Sequence, residues 1–250
     1  MRSKNNPGGQ DGLGEGERAS PEREPERSFI EKARRAQIID AAVETIAVRG
    51  FAKASLAQIA ERAGISKGVI SYHFAGKAEL IERLVEQVYG DVGAFVGARL
   101  AERAEASGWL RVYIESVAAY MYDHPSRLAA LGEIFSNFRT ADGAPHYGIA
   151  SSEPLYAALE NAFREGRSRG EFRAFDDRVM AVSLQAGIDD MFAYWSAHPE
   201  HDLAAHAREL ATLFEHATRA PAAQPGTEPE PEPHDTAPDR TEPTELPDLH

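Results

Sequence analysis

The sequence predicts an all-α protein, and three observations carry that expectation. Apolar residues recur at helical spacing through most of residues 29–219. No run alternates apolar and polar residues as a half-buried strand would. The hairpin dipeptides Asn-Gly and Gly-Gly are absent from the same stretch.

The elements follow in order, about nine helices in all. Residues 1–28 are rich in Gly, Pro, Glu and Arg and lack apolar periodicity, so they are expected to be a disordered extension. The first helix covers Glu31 to Arg49, with Ile38, Ile39, Ala42, Val43 and Ile46 on one face, and stops at Gly50. Ser55 and Gln58 have capping-box spacing and open a second helix, Leu56 to Ala63, which buries Ile59 and ends at Gly64. Ser66 can cap a third helix, Lys67 to Phe74. The fourth carries Leu80, Leu84, Val88, Val92, Val96 and Leu100 at i, i+4 spacing. That gives an apolar stripe along a helix of ~40 Å, at about 1.5 Å per residue. Weaker periodic runs follow at 109–123, 126–139, 152–169, 176–197 and 202–218. Breaks fall at Pro125, the ADGAPHYG loop, Gly170 and the HPEHD turn. From about Ala220 to residue 250, eight prolines and the run EPEPEP predict an extended, disordered tail.

Composition narrows the function classes. A chain of 250 residues with 42% hydrophobic content can bury a core in one or two domains. Without cysteine, disulfides, zinc-thiolate sites and cysteine nucleophiles are excluded. No apolar run reaches the ~18 residues that a membrane span requires, and the first residues form no secretory signal. The expectation is a cytoplasmic protein with no membrane partner.

The net charge of −13 is unevenly spread. Residues 29–78 hold 8 Lys+Arg against 4 Asp+Glu, a local +4, whereas 79–219 carry −9 and 220–250 carry −7. Acidity overall therefore argues nothing against a nucleic-acid partner, because the field that matters is local.

The stretch GISKGVISYHFAGKAEL, residues 64–80, lies in that basic segment. Two short helices joined through Gly64-Ile65-Ser66 form a helix-turn-helix arrangement, whose second helix enters a major groove by its N-terminal residues. Gly64 permits a left-handed exit from the second helix. Gly68 removes a side chain where backbone and DNA approach. Ser55, Ser66, Lys67, Tyr72, His73 and Lys77 offer donors to phosphate oxygens.

Residues 34–81, RRAQIIDAAVETIAVRGFAKASLAQIAERAGISKGVISYHFAGKAELI, resemble the N-terminal domain of the TetR family of transcriptional regulators. The shared signature is IxxAAxxxxxxxGF, then SxxxIAxxAGISKG, then HFxxKxEL. The resemblance implies a three-helix DNA-binding domain at 29–78, joined by the long fourth helix to a helical ligand-binding and dimerisation domain at 79–219. It carries DNA contacts onto Ser55, Ser66, Lys67, Gly68, His73 and Lys77. At Val69 and Ser71 only the position carries over. The family commonly has Thr or Ser at the first and Tyr at the second, and here an aromatic follows one place later, at Tyr72. Val69 can offer an apolar contact, for instance to a thymine methyl, and Ser71 a short hydroxyl. Phe74 reads as a core anchor.

The implied regulator has no cofactor and no metal. Its partners are an operator in double-stranded DNA, a small-molecule effector and a second copy of itself. In LQAGIDDMFAYW, Leu184, Ile188, Met191 and Trp195 share one face, while Gln185, Asp189 and Phe192 share another. A carboxylate among aromatics is costly to bury unless it is paired. Asp189 and Gln185 are therefore expected to line an effector pocket with Tyr120, Phe135, Phe138 and Phe192. The last two helices resemble the family's dimerisation pair. Their seam is assigned to Leu184, Ile188, Met191 and Trp195 on one helix and Leu203, Ala207, Leu210, Leu213 and Phe214 on the other.

The expected function is a ligand-responsive repressor that binds a palindromic operator as a homodimer and is released by a small lipophilic effector. A helical interaction protein is the alternative, then an enzyme. His198, His201, Asp202 and His206 invite a metal reading, but their spacing matches no common zinc pattern. No phosphate-cradling loop and no Ser-His-Asp set appears.

Overall fold

The computed structural model describes residues 23–102 and 108–220. Among them lie nine α-helices, a 3₁₀ turn and no strand. The expected extension as far as residue 22 and the tail from 221 lie outside the described residues. Two isolated antiparallel bridges, Arg139 with Pro145 and Phe172 with Arg219, join loop segments.

The helices are α1 (Arg23–Arg49), α2 (Leu56–Ala63), α3 (Lys67–His73), α4 (Lys77–Ala101), α5 (Trp109–Asp123), α6 (Pro125–Asn137), α7 (Glu153–Ser168), α8 (Asp177–Ala197) and α9 (Leu203–Thr218), with the 3₁₀ turn at Ile149–Ser152. The first begins earlier than expected, at Arg23 rather than Glu31. Pro25 sits in its opening turn, where a missing N–H costs nothing.

Local chemistry explains the first three helices. The expected face of α1, Ile38, Ile39, Ala42, Val43 and Ile46, is buried throughout. Its end turns at Gly50, whose φ of +79° lies in the left-handed region. At α2 the capping box closes in both directions: the Gln58 N–H donates to Ser55 Oγ at 3.3 Å, and the Ser55 N–H donates to Gln58 Oε1 at 3.0 Å. Gly64 (φ +67°) ends α2, and the next N–H, of Ile65, donates back to the Ala60 carbonyl at 3.0 Å. Phe74, just past α3, is buried and lies under the Arg35 guanidinium, 4.4 Å from its ring centroid.

In α4 the stripe is buried at Leu80, Leu84, Val88 and Val96, but Val92 and Leu100 are only half-buried. An i, i+4 row drifts about 40° per step on a helix of 3.6 residues per turn. Ile81 and Val85 complete the core alongside the stripe.

Beyond α4, α5 packs on α4 and α9, α7 on α8, and α8 on α9, while α6 packs back onto α1. Arg111 ties α5 to α9: Nε donates to Glu215 Oε1 at 2.9 Å and Nη2 to Glu215 Oε2 at 2.5 Å. Such a two-pronged carboxylate pair fixes orientation as well as separation. Close to this tie the Phe163 ring lies 5.3 Å from Trp109, 6.0 Å from Phe172 and 5.5 Å from Phe175. Phe163 is fully buried there. Phe163→Ala is expected to lower stability by about 3–5 kcal/mol, read as a shift in the urea unfolding midpoint.

Candidate functional site

Two regions collect the residues singled out by sequence. The first is the exposed side of α3. Lys67, Gly68, Ser71 and Tyr72 are all exposed, Tyr72 at 80%, and Val69 is half-buried. Ser66 occupies the cap position but makes no side-chain cap bond, so its hydroxyl is free for another acceptor. Ser55 is exposed, yet its hydroxyl already donates to Gln58 Oε1 at 3.2 Å and accepts from the Gln58 N–H. His73 is half-buried; its carbonyl accepts from Arg35 Nη1 at 2.5 Å.

Lys77 departs from the expected phosphate contact. Its Nζ donates to the Phe51 carbonyl at 2.6 Å and lies 4.1 Å from the Phe51 ring centroid. Burial pushes its ammonium below the usual lysine value. This charge is turned into the protein.

On its other side Phe51 is held by α6. Its N–H donates to Glu133 Oε2 at 2.9 Å, and its ring lies 5.5 Å from Phe138. The turn after α1 is thus gripped between the first residue of α4 and two residues at the end of the α6 segment. A second tie runs through Arg127 on α6, whose Nη1 donates to Asp91 Oδ2 on α4 at 2.6 Å and to the Tyr120 hydroxyl. Nothing in the local sequence signals either tie.

The second region surrounds Tyr89 on α4, which is 44% exposed although it sits mid-helix. Phe135 lies 6.4 Å away, and Tyr147 5.3 Å beyond that. Burial, the Asp189 charge and the hydroxyls of Tyr147 and Tyr156 push the Tyr89 hydroxyl up to about 12. Tyr113 on α5 is pushed up to about 12 by burial, then by Tyr89 and Asp189. Tyr89 thus keeps solvent contact while Asp189 of α8, Tyr147 of the 138–148 loop and Tyr156 of α7 bear on its hydroxyl.

Asp189 is an exposed residue of α8. Water reaches it, yet protein crowds it enough that burial raises its carboxyl above the usual value. Gln185, itself buried, donates Nε2 to Asp189 Oδ1 at 2.7 Å. No cation pairs with this carboxylate among the described residues.

Of the expected pocket residues, Gln185, Asp189 and Phe135 come together here. Phe192 is buried on the same side of α8. Tyr120 stands apart from them: it is buried, stacks on His124 at 4.3 Å and accepts from Arg127 through its hydroxyl. Phe138 is likewise drawn away, between Phe51 and His146. Tyr89, Tyr147, Tyr113 and Tyr156 were not among the expected pocket residues. Tyr89 had a visible signal, since it follows Val88 and lies off the aliphatic stripe.

The expected dimer seam is also corrected. Leu184, Ile188, Met191, Leu203, Ala207 and Leu210 are buried within a single copy of the chain, where α8 and α9 pack on their own neighbours. Side chains already covered cannot form a seam. Trp195 and Phe214 are half-buried, and Leu213 is exposed, as are Val179 and Val182 on the outer side of α8. Asp202 caps α9, accepting from the Ala205 N–H at 2.8 Å, while His201 Nε2 and His206 Nδ1 lie 3.0 Å apart.

Asp189→Asn carries a signed expectation. A carboxyl whose folded value is raised makes the native state bind the extra proton, so native stability falls as pH rises through that window. The variant should therefore unfold at a higher temperature than the parent at neutral pH. The advantage should vanish below about pH 3.9, the ordinary aspartate value, in thermal melts followed across pH.

Comparison with known proteins fits this geometry. Residues 38–84 match the family described as bacterial regulatory proteins, tetR family. The HTH-type transcriptional regulator BetI of Cronobacter sakazakii is 30% identical over 188 residues, 74% of this chain and 90% of that protein. BetI 1 of Chromohalobacter salexigens is 43% identical over 77 residues, but these span only 31% of this chain and 38% of that one. In fold, the chain resembles the transcriptional regulator FadR of Bacillus subtilis, solved in complex with stearoyl-CoA, with a TM-score of 0.62 at 23% identity over 72% of this chain and 96% of that one. A helix-turn-helix head locked to an all-helical body, with these relatives, places the chain in the tetR family of bacterial regulatory proteins, as a transcriptional regulator and not an enzyme.

Proposed function

We propose that two copies of this chain bind a palindromic operator through residues 29–78 and that a small lipophilic effector, held by residues 79–219, releases them. The observation that carries the reading is the free, exposed edge of α3. Lys67, Ser71 and Tyr72 project from it, and Gly68 leaves it open, with only Ser66 Oγ, 3.6 Å away, near a side chain built there. Lys67, Tyr72 and the Ser66 hydroxyl take phosphate oxygens, and Ser71 and Val69 face base edges.

The second copy is read from what remains uncovered. Val179 and Val182 on α8 and Leu213 on α9 are exposed, and Phe214 beside Leu213 is half-buried. Burying them across a two-fold axis would set two reading heads side by side, and a palindrome needs them ~34–36 Å apart. An effector that widens the body displaces α6, and the grip on Phe51 passes that shift to the head. The drive is limited to the ligand's preference for one arrangement. FadR, which shares this fold, was solved in complex with stearoyl-CoA, and that supports a lipophilic ligand here.

The test is binding to the DNA upstream of the chain's own gene, by footprinting and by fluorescence anisotropy at several salt concentrations. A protected two-fold sequence is the expected result; no protection at low salt would end the reading in favour of an interaction protein. Lys67→Ala should weaken binding and flatten the log–log salt slope by about 0.9 for each phosphate that the lysine neutralises. Lys77→Ala should instead lower the thermal midpoint, with the slope unchanged.

A further inference from the structure

The two ends of this chain are opposite in charge. Residues 220–250 carry −7 and residues 29–78 carry +4, while the stretch between them, 79–219, carries −9. Eight carboxylates, from Glu228 to Asp248, supply the tail's charge against Arg240 alone. The helical body repels a charge of that sign and the helix-turn-helix head attracts it. On the head, Lys32, Lys53, Arg62 and Lys67 are exposed.

Shape points to the same surface. In the extended form that the sequence predicts, EPEPEP at 228–233 sets a carboxylate at every second residue, about 6 Å apart, with a proline ring between. Proline-rich segments of this form dock on aromatic side chains because they have little conformational freedom left to lose. Tyr72 offers such a ring: it is 80% exposed and stands edge-on to His73 at 5.0 Å. Lys67 is exposed on the same short helix, and Gly68 beside it leaves open space.

The length of chain suffices. The tail departs from Arg219, which is bridged to Phe172. Measured from Ala220, Glu228 can lie up to about 25 Å away and Asp248 up to about 87 Å, at about 3.1 Å per residue. Helix α4, which joins the head to the body, is only about 36 Å long at about 1.5 Å per residue.

We propose that the acidic segment 228–248 docks on the exposed surface of α3, around Lys67 and Tyr72, as an internal competitor for DNA. The inference rests on the operator reading above, because the segment takes the surface assigned there to phosphates. A tethered segment has an effective concentration of about 1 mM. With an intrinsic Kd of about 0.1 mM, it covers the surface about ten-elevenths of the time and weakens DNA binding about elevenfold.

The test uses the full chain and its five lysines, Lys4, Lys32, Lys53, Lys67 and Lys77. A water-soluble carbodiimide joins a carboxylate to a lysine amine in contact with it, and the links are mapped by peptide mass spectrometry. At low salt Lys67 should be linked to carboxylates within 228–248, and excess duplex DNA should suppress those links. Lys77 serves as the internal control, since its Nζ is held on the Phe51 carbonyl at 2.6 Å. In parallel, the full chain carrying Glu228→Gln, Glu230→Gln, Glu232→Gln, Asp235→Asn and Asp239→Asn should bind duplex DNA about tenfold more tightly than the parent at low salt. The gap should narrow as salt rises. No link at Lys67, links as frequent at Lys77, or equal DNA affinity of the two chains would overturn the proposal. Links at Lys67 in a chain that ignores all DNA at low salt would instead overturn the operator reading, and the competition with it, while the contact itself stands.

Discussion

The grip on Phe51 is the constraint on which the rest of the structure depends. A short loop between two helices would ordinarily be free to move relative to distant parts of the chain. Here its N–H is taken by a carboxylate 82 residues away and its carbonyl by the first lysine of α4. Both backbone groups are satisfied by charged partners, which makes these bonds stronger than neutral ones. The ring is covered by Phe138 on one side and by the lysine ammonium on the other. The helix-turn-helix head therefore has a defined pose on the body.

A chain of aromatic contacts runs from Tyr89 to Phe51. Tyr89 meets Phe135, Phe135 meets Tyr147, Tyr147 meets Phe138 at 6.1 Å, and Phe138 meets Phe51. Packed rings do not compress, so a displaced member moves its neighbour or repacks. Spatial continuity alone is not coupling, but it names the side chains through which coupling has to be sought. Arg127, joining α4, α5 and α6, stiffens the frame around them.

Much of the fold was legible in the sequence because it is locally encoded. Gly50 and Gly64 announce helix ends through backbone freedom, and Ser55 with Gln58 announces a beginning through mutual hydrogen bonds. From α5 onward the helix bounds follow apolar period and lie within a residue or two of the expected runs. What was not legible depends on residues far apart in the chain. Lys77 looked like a phosphate ligand because its type and position fit one, and only Phe51 folding beneath it turns the charge inward. Leu184, Ile188 and Met191 formed a proper apolar face, but periodicity cannot say whether such a face meets the same copy or another. Tyr147 sat in a stretch read only as a break, where no period assigns a direction to a side chain.

Helix α8 serves three environments around its circumference. Leu184, Ile188 and Met191 are sealed in the core, Gln185 and Asp189 are hydrogen-bonded to each other on another side, and Val179 and Val182 look outward. A rigid rod cannot turn one of these sides without turning the others. If two copies pair through the outward side, ligand occupancy and self-association become reciprocal quantities. Whatever factor the small molecule imposes on the monomer–dimer equilibrium, dilution of the protein imposes in return on the apparent affinity for the small molecule.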